Sequence, residues 1–237
     1  MKKLINALWL VRDIVRYNFK IIFANKFIYF LLSAIAVFML VTSINLFSTD
    51  AMPTEATVYY LLLVPGILLV FYPVTFGIQN DLDAGMLEIL FGIPNYRYKV
   101  WLLRLVIIYF AEFLFLLALA LISALAVTEV PLLAMVFQLM FPLLFLGSLA
   151  FVFSTWVRNG YGTAIVMIII GLAFWIASGF LMESKWNLFL NPFHVPSQVN
   201  EAIWADITFK NRVYLVAGTV VAILLGLLNL QKREKFV

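Results

Sequence analysis

The sequence predicts an all-α integral membrane protein. It has six transmembrane helices, an N-terminal amphipathic interfacial helix, a short helix displayed in a cytoplasmic loop, and short re-entrant outer helices before the last span. Three observations predict this. The 237 residues are 65% hydrophobic and only 12% charged, whereas soluble domains run near 45–50% apolar and about 25% charged. Mean hydropathy is +1.06. Six separate runs are apolar over the roughly 20 residues that a helix needs to cross about 30 Å of hydrocarbon. None of them alternates with the period of two that a barrel strand requires.

Residues 2–23 are too polar to span. At 100° per residue, Lys2, Asn6, Asp13, Arg16 and Lys20 fall on one side and Leu4, Leu8, Val11, Val15 and Ile22 on the other. Such a helix lies in the membrane interface with its basic face toward the headgroups. Residues 1–26 are therefore assigned to an interfacial helix and 27–237 to the membrane domain. The expected spans are 27–47, 58–78, 100–127, 132–155, 161–182 and 213–230. The first is longer than a signal-peptide core and no clear A-x-A site follows it, so it reads as a permanent span.

Charge sets the orientation. With both termini inside, 13 of the 16 Lys and Arg lie on the cytoplasmic side, and the exceptions are Lys185, Lys210 and Arg212. The positive-inside rule selects this arrangement, and an even number of spans agrees with it. The expected location is the cytoplasmic membrane, with membrane lipid as surroundings.

Two connecting segments are more than loops. The cytoplasmic segment 79–99 reads QNDLDAGMLEILFGIPNYRYK. Residues 83–90 suit a short helix with Asp81 or Asp83 near its N-terminus, where negative charge is favoured, and Gly92 and Pro94 stop it. Its apolar set, Leu87, Ile89, Leu90 and Phe91, must bury against something, which marks a docking element. The external segment 183–212 is too apolar for a solvated loop and too broken by Pro192 and Pro196 for one span. Two short helices dipping into the outer leaflet are expected there, with Trp186 and Trp204 marking interface depth.

Some chemistry is excluded and some is weighed. The chain has no cysteine, so disulfides and thiolate sites are absent. A lone histidine, His194, rules out a multi-histidine metal site within one copy. Nothing points to a nucleic-acid partner. Glu112, twelve residues into the third span, is the candidate for a translocation path, because a carboxyl at that depth is costly. A packing or hydrogen-bonding role is its competing reading. Ser178-Gly179 with His194 resembles rhomboid proteases only in outline, since His194 sits in a proline-flanked external segment. Asn80-Asp81-x-Asp83 lacks the longer spacing and second motif of intramembrane prenyltransferases. Pro65, Pro73 and Pro142 permit kinks within spans. Gly147, Gly171 and Gly179 are expected to allow close helix approach.

The 80–99 segment resembles the cytoplasmic loop of the ABC-2 type exporter permeases. That family has an acidic residue, then Gly-Thr/Ser-Leu-Glu, a leucine pair, proline and a basic residue before the third span. Gly85, Leu87, Glu88, Leu90, Pro94 and Arg97 match, and Met86 replaces the usual hydroxyl residue. Asn191-Pro192-Phe193 is similar to a motif common before the family's last span. The resemblance implies a coupling helix, with Asp81, Asp83, Gly85, Leu87, Glu88, Leu90, Pro94 and Arg97 contacting a separate ABC ATPase subunit. It also implies a homodimer or heterodimer of permeases. No cofactor would belong to this chain, because ATP and Mg²⁺ would sit on the ATPase. The chain itself contains no G-x-x-x-x-G-K-S/T phosphate cradle, so it is not expected to be an enzyme on its own. The expected function is that of the permease subunit of an ATP-driven exporter. Its apolar interior suits a hydrophobic or amphipathic cargo such as a lipid, peptide or drug-like molecule. The alternatives are a permease for haem or cofactor assembly, an intramembrane enzyme, or a membrane scaffold.

Overall fold

Six helices form an all-helical bundle, each long and apolar enough to cross a membrane. The structure is a computed structural model that describes residues 27–48, 53–83, 85 and 97–230. The helices are α1 (Phe27–Ser48), α2 (Glu55–Asp83), α3 (Leu103–Ala126), α4 (Leu132–Val157), α5 (Gly160–Phe180) and α6 (Glu201–Asn229), and a π-helical turn, Arg97–Leu102, leads into α3. No strand occurs among the described residues. The expected interfacial helix of residues 1–26 lies outside the described residues.

Burial separates the helices into two kinds. Within the most apolar window, 67% of α2 and 61% of α4 is buried, against 17% of α1 and 11% of α5. The centre is therefore α2 and α4. The core they share with α3 includes Leu62, Leu116, Leu139 and Leu143, all fully enclosed. Helices α1 and α5 lie at the periphery and α6 packs along α4. Chain alternation puts the ends of α2, α4 and α6 and the starts of α3 and α5 at one end of the bundle, the loop end. Segments 127–131 and 181–200 lie at the far end.

Aromatic rings and caps hold the peripheral helices. At the loop end Phe30 stacks on Tyr72 at 4.7 Å, Tyr72 on Phe76 at 5.3 Å, and Tyr161 meets Phe76 edge-on at 5.4 Å. This ladder joins α1, α2 and α5. The α5 N-terminus is capped by Asn159, whose side chain accepts from the Gly162 amide, and the Gly160 amide donates to Gln79 of α2. Such caps satisfy amides that the helix leaves orphaned.

The expected close-approach glycines are only partly the observed ones. Gly147 faces the Tyr109 ring, but nothing lies within 4 Å of a Cβ placed at Gly171 or Gly179. Those two are on the sparsely covered helix α5. The α4–α6 seam is close, and there Gly218 receives Phe145 and Gly226 receives Phe151. Asn229 adds a 2.7 Å bond to the Thr155 carbonyl at its end.

The larger difference lies before the last span. Residues 181–200 form turns, not short helices, and α6 begins at Glu201 instead of residue 213. Asparagine chemistry explains the turns. The Asn187 side chain accepts from the Phe189 amide and the Asn191 side chain from the Phe193 amide, both at 3.0 Å. These local bonds replace helical ones. Pro192 and Pro196 remove two further helix donors.

A side chain at Gly226 would put its Cβ 2.5 Å from Phe151. Gly226→Leu is expected to destabilise the protein by about 1–3 kcal/mol through overpacking, read as a lower unfolding temperature in detergent. Gly179→Leu, at an open position, is expected to leave that temperature unchanged.

Candidate functional site

The sequence places Asp81, Asp83 and Gly85 at the loop end, in and just beyond the last turn of α2. Asp81 and Asp83 occupy its last turn, and Gly85 follows with φ +64° and its amide donating to the Leu82 carbonyl at 3.0 Å. Left-handed backbone costs an L-residue roughly 1–2 kcal/mol, so glycine ends the helix here. The two acids therefore close α2 instead of opening a new helix. Of the other residues in the expected coupling element, Leu87, Glu88, Leu90 and Pro94 lie outside the described residues. Arg97 begins the π-helical turn.

A carboxylate at a helix C-terminus is disfavoured by the helix dipole, and Asp81 is also buried, at 4% exposure. Its compensation is Arg104 from the first turn of α3, which is buried and ion-pairs with it. The Arg104 guanidinium lies 4.9 Å from the centre of the Trp101 ring. Two donors of this cluster, Trp101 Nε1 and Arg104 Nε, have no partner among the described residues. Asp81 thus faces inward and ties the two helices that flank the 84–96 segment, while Asp83 is exposed. The pair escaped sequence reading, though its signal was present. Asp81 lies one turn beyond buried Ile78, and Arg104 one turn inside the next apolar run.

Glu112 is enclosed in the middle of the bundle, 4% exposed, and its Oε1 has no hydrogen-bond partner. It points toward Gly66 of α2. A Cβ at that glycine would sit 3.1 Å from Oε1, so the glycine makes room for the carboxyl. On its other side Glu112 lines a cavity of about 240 Å³ with Phe27, Leu31, Leu69 and Phe115. One turn earlier, Tyr109 bonds with Ser148 at 3.0 Å and donates to the Leu144 carbonyl at 3.2 Å. Tyr109 is thus satisfied by α4, and the carboxyl is not.

At the far end a second polar cluster closes the bundle. Arg212 is 5% exposed and donates to Gln138 at 2.8 Å, to the Asn211 side chain at 2.7 Å and to the Leu190 carbonyl at 3.1 Å. Asn211 donates to the carbonyls of Lys185 and Asn187, and Asn191 to that of Ala56. Tyr59 donates to Leu190 at 3.3 Å and Trp204 to Pro192 at 3.3 Å. Trp204 is buried, so it marks packing and not interface depth; Trp186 is exposed and stacks on Tyr214 at 4.5 Å. Ser178 donates to its own helix at Trp175, and His194 is exposed.

The chain matches no protein-family model, no curated protein and no solved structure.

Removing one partner of a buried ion pair leaves the other uncompensated, at a cost of about 3–5 kcal/mol. Asp81→Leu or Arg104→Met alone is expected to lower the unfolding temperature in detergent sharply. The double variant is expected to recover most of the loss, because an apolar pair of similar volume is tolerated.

Proposed function

We propose that this chain is the transmembrane permease subunit of an ATP-driven ABC exporter. It would work as a dimer with a separate ATPase at the loop end and move a hydrophobic or amphipathic cargo across the cytoplasmic membrane. The observation that carries the reading is the path of α2. This single helix runs from the loop end, where Asp81 holds Arg104, to the far end, where Tyr59 holds the Leu190 carbonyl. Its 29 residues span about 43 Å at 1.5 Å per residue. A displacement of the 84–96 segment by an engine below would reach the far end through one continuous helix, which is what a coupling element requires.

The covering of the bundle supports a dimer. Helices α1 and α5 are the least buried and flank an apolar groove of about 380 Å³ lined by Phe30, Phe71, Ile168, Gly171 and Trp175. A second copy against this face would bury it, and an apolar cargo would find its path along the seam. Glu112, the one carboxyl enclosed at mid-depth among the described residues, is the candidate group along the inner path. Its carboxyl sits where α2 carries the adjacent Pro65 and Gly66.

Three measurements test the reading. The purified chain is expected to bind an ABC ATPase and raise its hydrolysis rate. Glu88→Lys is expected to abolish that stimulation while insertion is retained, and unchanged stimulation would overturn the docking role. A membrane scaffold or an intramembrane enzyme would tolerate the same change. Because the chain has no cysteine, Ile168→Cys reports on one position only. Oxidation is expected to give a crosslinked dimer, and a monomer at all protein densities would remove the α1–α5 seam. Glu112→Gln, which keeps the side chain's shape, is expected to leave the protein folded, because no hydrogen bond to Oε1 is lost, and to slow ATP-dependent cargo movement.

A further inference from the structure

Along α4 and α6, at the far end, runs a groove of about 890 Å³. Its floor carries Arg212, whose charge is unanswered. The groups around Arg212 are an amide side chain on Gln138, another on Asn211, the Leu190 carbonyl and the Tyr59 phenol, and none is a carboxylate. The ring of Phe141, 5.4 Å away, supplies a further weak contact. The one acid lining the groove among the described residues is Glu201, which is exposed and lies about three turns up the helix. A buried cation held only by neutral dipoles is an expensive arrangement. It is relieved when an anion approaches.

A second polar group points the same way. Thr208 lines the groove one turn above Arg212, is 9% exposed, and its buried hydroxyl has no hydrogen-bond partner. Outward of these two the lining includes Trp204 and Ala205, and toward the loop end it is apolar, with Phe141, Val213, Val216 and Ala217. Arg212 and Thr208 thus head the apolar wall that runs toward the loop end. Arg212 lies about 26 Å from Asn229 along α6, close to the full ~30 Å depth of the hydrocarbon. With the loop end of α6 at one membrane surface, Arg212 sits at the opposite headgroup boundary. Val213, Val216 and Ala217 then descend into the acyl region.

We propose that this groove binds an anionic membrane lipid. Its headgroup oxygens take Arg212 and Thr208, and an acyl chain lies along Phe141, Val213 and Ala217. A soluble anion would use the cation and leave the apolar wall empty. A zwitterionic lipid would fill the wall and bring a positive charge toward Arg212. The order of charge, hydroxyl and apolar wall fits one molecule carrying both parts. The assignment stands apart from the exporter reading, since it needs neither an ATPase nor transport.

The test uses the full chain alone, released from nanodiscs containing equal phosphatidylglycerol and phosphatidylcholine, with retained lipid counted by native mass spectrometry. One phosphatidylglycerol per chain is expected, favoured over phosphatidylcholine by about tenfold, the scale of one charge-assisted hydrogen bond. Arg212→Gln is expected to erase the preference. Ala217→Trp fills the exposed wall without touching the Arg212 network, and is expected to reduce retention of the anionic lipid by a similar factor. Equal retention of the two lipids by the unaltered chain, or undiminished retention in Ala217→Trp, would overturn the proposal. Displacement of the lipid by millimolar inorganic phosphate would also overturn it, in favour of a free-anion site.

Discussion

Charge inside an apolar slab has to be answered locally, and this bundle is organised around that constraint. The interior of the bundle is apolar, so each ionisable side chain there needs a partner or must bear its isolation. Asp81 and Arg104 answer each other across α2 and α3. Arg212 is surrounded by neutral oxygens from α4, α6 and the far-end turns. Glu112 has a carboxyl oxygen with no partner. The first solution costs least and is structural, joining two helices where their connecting segment departs. The other two leave charge or hydrogen-bonding capacity unused, and residual capacity in a low-dielectric site is what a ligand or a proton can use.

Much of the bundle was legible in the apolar runs because the membrane imposes a length that composition must meet. All six helices contain their expected spans nearly whole, with α2 extending past both ends of its run. The start of the sixth was misplaced, and the reason is specific. Polar residues between 201 and 212 ended the apolar run at 213, yet the buried stripe continues through them as Trp204, Thr208, Asn211, Arg212, Leu215, Thr219, Ala222 and Gly226. That spacing of three and four is the signature of a helix face packed on a neighbour. Periodicity carried the answer where hydropathy concealed it. The site residues read less well. Asp81 looked like a docking acid because its sequence neighbours are polar; only the fold brings Arg104 to it. Most of the remaining coupling set lies outside the described residues.

The far-end turns show how non-helical backbone is tolerated beside a membrane. Unsatisfied amides and carbonyls are prohibitive in hydrocarbon. The segment 181–200 meets that demand with side chains. Asn187 and Asn191 accept from amides two residues ahead, while Asn211, Arg212, Tyr59 and Trp204 donate to carbonyls of the segment. Leu188, Phe189 and Leu190 are buried beneath this lattice. The segment is therefore a plug locked to α2 and α6, and its geometry follows wherever those helices go.

Helix α2 links the three solutions to charge. Its last turn holds Asp81, its middle faces Glu112 through Gly66, and its first turns hold the far-end plug through Tyr59 and the Ala56 carbonyl. Pro65 removes one backbone hydrogen bond from the ladder just before Gly66. Pro73 does the same about two turns further on, so α2 has two interrupted stretches, and the first is beside the unpartnered Glu112 oxygen. Bending there would change the space around Glu112 without breaking either anchored end. Glu112 thus lies where the α2 backbone has lost a hydrogen bond and carries no side chain at Gly66. Proline, glycine and glutamate therefore meet at one depth, where the helix ladder lacks a bond and a carboxyl oxygen lacks a partner.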